Sequence, residues 1–374
     1  MLDKLPWRLI AERSFLFIPA LLARLESLLR KRRGSRLLQC GETLLIFPRD
    51  RSLAYLARII LDWWLEVYRV PVHAVYLPEA SKQHPALKSQ VVWAKNPFLI
   101  WIFLLRGRYR TVVFLEPQRY RLLSFLAWLA LIPNRCGFTL QDENPFLNFR
   151  FAFNESSTHY IHQLRAFFEE LSGQKRDLLP LLEKKPPEPV LPKALNIIME
   201  LGLGKFVAIC PAENPWPSWP KEYYGELISF ISFPVLLLSL DEHGYRKNEQ
   251  ILKTAKEIFS VKTEIYLMPV EEELLLATLS SRAEVLLTED NLFAHYAAHY
   301  GARVITLFGP RNEKVLAPFS NKAQSLTAMV PCRPCWQIAS EFRCHYSRAY
   351  ACVYDISVES VVEKLKTILA KDKK

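Results

Sequence analysis

The chain predicts two α/β domains, each a parallel sheet covered by helices on both faces, facing one another across a cleft. Three observations point there. A strand-like run followed by a helical period recurs in both halves, a segment rich in Pro and charge interrupts the pattern midway, and 374 residues exceed one ordinary core. Half the residues are hydrophobic and only 11 are Gly, which excludes a disordered chain.

In order, residues 1–36 form a basic amphipathic segment with nine Lys or Arg against three Asp or Glu. Leu21, Leu22, Leu25, Leu28 and Leu29 recur at helical spacing and Arg30, Lys31, Arg32 and Arg33 follow. Such a helix suits the surface of an anionic membrane, and equally suits docking on its own domain with a solvated end. FLFIPALLA is too short to span a bilayer, and Arg24 and Glu26 interrupt its continuation. With no order of basic, apolar and cleavage regions that would mark a secretory signal, the expectation is a cytoplasmic protein, peripheral at the inner face of the membrane. Nucleic acid is not expected as a partner, since no binding motif accompanies the charge.

The first domain, 37–183, pairs ETLLIF with the helical LAYLARIILDWWLEVYR, and YRTVVFLE with YRLLSFLAWLALIP. KKPPEPVLPK, Lys184–Lys193, reads as the linker. The second domain, 194–374, pairs KFVAICPA with a helix near GELISFI, PVLLLSL with a Lys/Glu-rich helix, and AEVLL with a helix that leads to ARVITLFGP. Charge divides unevenly: residues 1–190 carry 28 basic and 17 acidic side chains, and 191–374 carry 21 of each. A basic first domain attracts an anionic substrate or surface.

Ligands in open parallel sheets bind beyond the carboxyl ends of the strands, and TEDNLFAHYAAHYG, Thr288 to Gly301, is such an end. A helix opening at Asp290 or Asn291 would turn its first amides to the cleft, where they can hold a diphosphate. Asp290 would orient amides or a sugar hydroxyl, with His295 one turn on. An ordinary cap followed by a packed His is the competing reading. Of seven cysteines, Cys332, Cys335, Cys344 and Cys352 cluster late, a set that suits a structural zinc or free thiols in a reducing compartment, while Cys40, Cys136 and Cys210 lie in apolar runs and read as core.

TEDNLFAHYAAHYG with ARVITLFGP resembles the donor segment of glycosyltransferase family nine, the ADP-heptose:lipopolysaccharide heptosyltransferases, through Asp290, His295, Ala297, Ala298, Gly301 and Phe308-Gly309-Pro310. Asn291 stands where the family has a hydroxyl residue and Leu292 where it has Gly. Arg135 with Gly137-Phe138, CPAENPWPSWPKEYYGEL with its Trp219-Pro220, the late cysteines and ISVESVVEKLKTIL follow in family order, from about residue 40 to 370. The resemblance implies two Rossmann-like domains in the GT-B arrangement. It also implies inverting transfer of heptose or a related sugar from an ADP-activated donor to a lipopolysaccharide or other anionic lipid-linked acceptor, with no cofactor required. Asp50 takes the place of the family's catalytic base. Donor contacts fall on Asp290, Asn291, Leu292, His295, Glu242, Ala212, Glu213 and Ser218, and acceptor or phosphate contacts on Arg49, Arg51 and Arg119. The chain departs at Pro217, where the family carries a Lys, at Ala212 for a Gly, and at Arg49 in a shortened first loop. These departures leave a non-catalytic scaffold of the same fold, or a transferase with another nucleotide donor, as alternatives.

Overall fold

The computed structural model describes residues 42–48, 50–65, 72–76, 90–92, 97–107, 109–116, 120–139, 144–175, 177, 190–211, 218–335, 344 and 346–370. The basic segment 1–36, Cys40, Arg49, Arg119, Ala212, Glu213 and Pro217 lie outside them. The chain divides into two compact units. One runs to Asn154 and resumes over Ile161–Arg176; the other holds Glu155–Tyr160 and everything from Asp177 onward. The division therefore differs from the expected one, because a six-residue segment inside 37–183 joins the second unit.

The first unit runs β1 (Thr43–Ile46), α1 (Arg51–Leu65), β2 (Val72–Tyr76), β3 (Gln90–Val92), α2 (Pro97–Arg106), β4 (Thr111–Phe114), α3 (Arg121–Leu129), β5 (Asn134–Thr139), β6 (Phe149–Ala152) and α4 (Tyr160–Ser172). Its six strands pair in parallel in the order β3-β2-β1-β4-β5-β6. TLLI and TVVF are buried at every position, as central strands covered on both faces must be. Leu44 and Ile46 of β1 and Val112 and Phe114 of β4 share one face, where Leu104 of α2 and Leu126 and Ala127 of α3 pack on them. The apolar periods read in the sequence thus become α1 and α3, whereas the short β2, β3 and β6 gave no run long enough to read.

The resemblance motif at Arg135 and Gly137 has a packing explanation. The Arg135 guanidinium is buried, its Nε donating to Phe146 O at 2.7 Å and its Nη1 to Ile132 O at 2.6 Å, so it ties the start of β5 to the loop before β6. A Cβ on Gly137 would lie 3.0 Å from Leu147 Cδ1 and 3.2 Å from Phe114 Cβ, so a side chain there would require those neighbours to give by a few tenths of an ångström.

The second unit runs α5 (Leu191–Glu200), β7 (Val207–Cys210), α6 (Lys221–Ser229), β8 (Val235–Ser239), α7 (Glu242–Glu257), β9 (Ile265–Pro269), α8 (Glu273–Arg282), β10 (Val285–Glu289), α9 (Leu292–His299), β11 (Val304–Phe308), α10 (Glu313–Leu316), β12 (Ala323–Thr327), α11 (Ala351–Tyr354) and α12 (Val358–Ala370). The sheet order β12-β11-β10-β7-β8-β9 repeats the first topology, again in parallel. Leu191 to Lys193, expected as the end of the linker, instead open α5, because Pro192 in the first turn fits where the amide has no intrahelical partner. Trp219-Pro220 is a fixing point for α6: Trp219 is buried, donates Nε1 to Ile356 O at 2.8 Å and meets Tyr224 edge to face at 4.9 Å. Among the described residues no helix is long and apolar enough to cross a membrane.

Replacing Arg135 by Ala removes two charge-assisted bonds and leaves buried carbonyls without donors. Urea unfolding of the variant is expected to show a loss of about 3 kcal/mol.

Candidate functional site

In both sheets the connections run outward in opposite directions from a central pair, β1/β4 in the first unit and β7/β10 in the second. Crevices beyond the carboxyl ends of such pairs are where ligands bind in these folds.

In the second unit the Thr288 hydroxyl donates to Cys210 O at 2.7 Å, closing β10 on β7, and Asn291 Nδ2 donates to Thr288 Oγ1 at 3.0 Å. Asn291 caps α9, its Oδ1 accepting from Phe293 N at 2.9 Å and Ala294 N at 3.2 Å. Leu292 is buried in the first turn, and Gly301, at φ 86°, ends the helix in the left-handed region. Asp290 does not orient amides as expected. Both its oxygens are taken by Arg311, whose Nε and Nη2 each approach to 2.6 Å. A buried guanidinium needs a charge partner, and the planar fork of Arg311 fits a carboxylate two-pronged. Arg333 braces the same loop through Gly309 O at 2.6 Å and Arg311 O at 3.0 Å.

His295 lies one turn into α9, 2% exposed, and neither ring nitrogen has a hydrogen-bond partner among the described residues. Burial, then the charge of Arg311 and that of His159, holds its pKa well below the ordinary value, so the ring is neutral at physiological pH. His159, from the segment that joins this unit, bonds Ala317 O at 2.8 Å and packs on Phe319 at 5.3 Å.

A second cluster stands at Glu289. Its Oε1 accepts from Tyr224 Oη at 2.7 Å and from the Ser218 hydroxyl, and Lys247 Nζ lies 3.5 Å away while also bonding Ser218. Burial, then the Glu289 charge and hydrogen bond, raises Tyr224 well above its ordinary value and keeps it a proton donor. Ser218 was expected here; Lys247, Tyr224 and Arg311 were not. Glu242, expected at this end, is 78% exposed and paired with Arg246 on the outer side of α7. Lys247 puts an ammonium next to Ser218, one residue from the Pro217 that replaces the family's Lys. The sequence offered only a partial signal, an Asp at one strand end and Arg311 directly after Gly309-Pro310 at the next.

In the first unit Asp50 caps α1, its Oδ1 accepting from Leu53 N at 2.9 Å, while Arg51 is exposed. A second carboxylate, buried Glu116 past the end of β4, accepts from Tyr120 Oη, which also reaches Phe47 O at 3.3 Å. Asp50 is therefore not the sole carboxylate at the carboxyl ends of β1 and β4.

Cys136 and Cys210 are buried core residues. Tyr350 N donates to Cys344 Sγ at 3.3 Å, and burial, then the neighbouring Cys335 and Cys332, pushes the Cys352 thiol up to about 11. Among the described residues no group of three or more His, Cys, Asp or Glu side chains is placed to hold a metal ion.

Two all-parallel α/β units of this topology have the fold of the GT-B class, and the comparisons specify the family. The model of glycosyltransferase family 9 (heptosyltransferase) matches residues 122–345, more than half the chain, so the chain belongs to that family and is a glycosyltransferase. Its fold is similar to that of a family 9 glycosyltransferase from Veillonella parvula DSM 2008, at 16% identity over 90% of this chain and 99% of that one, with a TM-score of 0.61. It is likewise similar to E. coli ADP-heptose lps heptosyltransferase II, at 17% identity over 89% and 100% of the two chains and a TM-score of 0.60. The E. coli heptosyltransferase WaaC with ADP follows at 12% identity, 88% and 100% coverage and a TM-score of 0.57. No curated protein sequence matches the chain.

Replacing Asp290 by Ala strands the Arg311 charge in a buried site, and denaturation is expected to report a loss of about 3–5 kcal/mol. His295 carries its own pH signature. Its folded pKa is depressed, so stability is fully present above the unfolded value of about 6.5 and is lost as pH falls below it, by up to about 1.4 kcal/mol per pH unit. His295→Gln should flatten that limb in urea titrations between pH 7 and 5; an unchanged slope would contradict the neutral buried ring.

Proposed function

We propose that this glycosyltransferase transfers heptose or a related sugar from an ADP-activated donor to a lipopolysaccharide core or other anionic lipid-linked glycan, by inverting displacement. The observation that carries the donor half is Arg311 held in two-pronged contact with Asp290 at the start of α9, beyond the β7/β10 pair. Helix amides, the Arg311 guanidinium and the Lys247 ammonium are the groups that meet a leaving diphosphate. Lys247, bonded to Ser218, supplies an ammonium that Pro217 cannot. The related E. coli proteins described with ADP and ADP-heptose support adenosine diphosphate as the leaving group.

In the reaction an acceptor oxygen forms the new bond to the anomeric carbon as the bond from that carbon to the diphosphate breaks. The proton of the acceptor hydroxyl passes to a carboxylate of the first unit, and we assign it to Asp50. Arg51 beside it, with Arg49 and Arg119, is suited to phosphates of the acceptor. Glu116 is the competing base, because it stands at the end of the adjacent strand. An acceptor carried on a lipid of the inner membrane places the enzyme peripherally at the cytoplasmic face, and the excess of basic side chains over residues 1–190 favours that anionic partner.

The test is a thermal-shift panel with ADP, UDP and GDP on the wild type and Lys247→Ala, which spares the Asp290–Arg311 pair. A ligand at about a hundred times its dissociation constant stabilises by about 2.7 kcal/mol. ADP alone is expected to shift the wild type, and Lys247→Ala to weaken the shift about tenfold in dissociation constant; no shift with any nucleotide would favour the scaffold alternative. In transfer assays Asp50→Asn is expected to lower kcat by about a hundredfold or more with ADP binding intact. If Glu116→Gln does so and Asp50→Asn does not, the base is Glu116.

A further inference from the structure

We infer that the outer surface of α2 and α3 in the first unit is a docking face for a bilayer carrying anionic headgroups. Six of the twelve exposed large apolar side chains among the described residues fall on these two helices and the turn after them. They are Phe98, Leu99, Leu105, Leu122, Leu129 and Leu131. Leu104, Leu126 and Ala127 hold both helices on one face of the sheet, and these six stay exposed outside that packing. Scattered exposed leucines are ordinary, but a concentration on two adjoining helices marks an interaction surface.

Leu131 is the sharpest case. It is 84% exposed and stands at φ 57°, the left-handed region that Gly or Asn ordinarily fills after a helix. The position thus holds a side chain unsuited both to its backbone and to water. A hydrocarbon environment removes the second conflict.

The charge selects the occupant. Neither 97–110 nor 120–134 contains an Asp or Glu, and exposed Arg106, Arg110 and Arg121 flank the apolar side chains. Apolar side chains bordered by arginines match the acyl boundary and phosphates of an anionic bilayer. A second copy of this chain on the same face would bring its own arginines against these, with no carboxylate in 97–110 or 120–134 of either copy to receive them.

The inference rests on the proposed lipid-linked acceptor only for its purpose, because vesicle binding is read without donor or transfer. The experiment is co-sedimentation of the full-length protein with vesicles of phosphatidylethanolamine and phosphatidylglycerol, and with phosphatidylcholine alone. Three proteins are compared: wild type, Phe98→Ser/Leu131→Asn, and Leu25→Asp in the N-terminal segment. Asn is at ease at Leu131's φ, so the double variant should fold, as its far-ultraviolet circular dichroism would report. The wild type is expected to partition onto the anionic vesicles, and Phe98→Ser/Leu131→Asn to lose at least about tenfold in partitioning. Absence of wild-type binding overturns the inference, as does a double variant that binds unchanged while Leu25→Asp abolishes binding. A double variant that changes the sedimenting mass in solution but not vesicle binding overturns it in favour of self-association.

Discussion

A parallel strand leaves neither face for water, and every strand pair in both sheets is parallel. The chain must therefore return to the starting edge between parallel neighbours, and among the described residues most of these connections are helices that cover the sheet. The same requirement gathers the loops that follow the strands at one edge of each sheet, where their backbone groups and polar side chains need not be enclosed. Where the winding direction reverses, adjacent loops diverge and leave room. Thr288, Asn291, Asp290 and Glu289 owe their proximity to Cys210 and Ser218 to that reversal between β7 and β10.

Two carboxylates next to each other at a strand end would repel and would resist burial if left alone. The chain answers each separately. Asp290 receives a guanidinium from the loop after β11, and Glu289 receives a phenol, a hydroxyl and an ammonium from α6, the segment before it and α7. Buried ion pairs are weak contributors to net stability, since desolvation offsets much of their attraction. An apolar substitution of both partners would keep the fold at little cost, so the fold itself does not require these pairs.

Much of the fold was legible because strands buried on both faces are written as short uninterrupted apolar runs, as TLLI, TVVF, VLLLS and VITLF are. The edge strands were not, since AQSLT is broken by polar residues and IYLMP, though apolar, is half exposed. The linker was placed too far along because Pro and charge in LPK suit a helix start as well as a loop. At the site the local feature, a cap at Asn291, was within reach of sequence. The partners of Asp290 and Glu289 lie 21 to 71 residues away, a separation that no local pattern encodes. Glu242 was expected from a loose likeness to the family's acidic residue after that strand, yet a helix turns successive side chains by about 100°, and Lys247 lies on the inward side.

The neutral ring of His295 and the high-lying phenol of Tyr224 share one implication for kinetics. One has its proton removed far below neutrality and the other keeps its proton far above it. Across the working range neither changes charge, so these two buried groups keep the electrostatics around α9 and β10 constant. Any inflection in a pH–rate profile near neutrality must then originate elsewhere, in the group that receives the acceptor's proton or in the sugar acceptor itself.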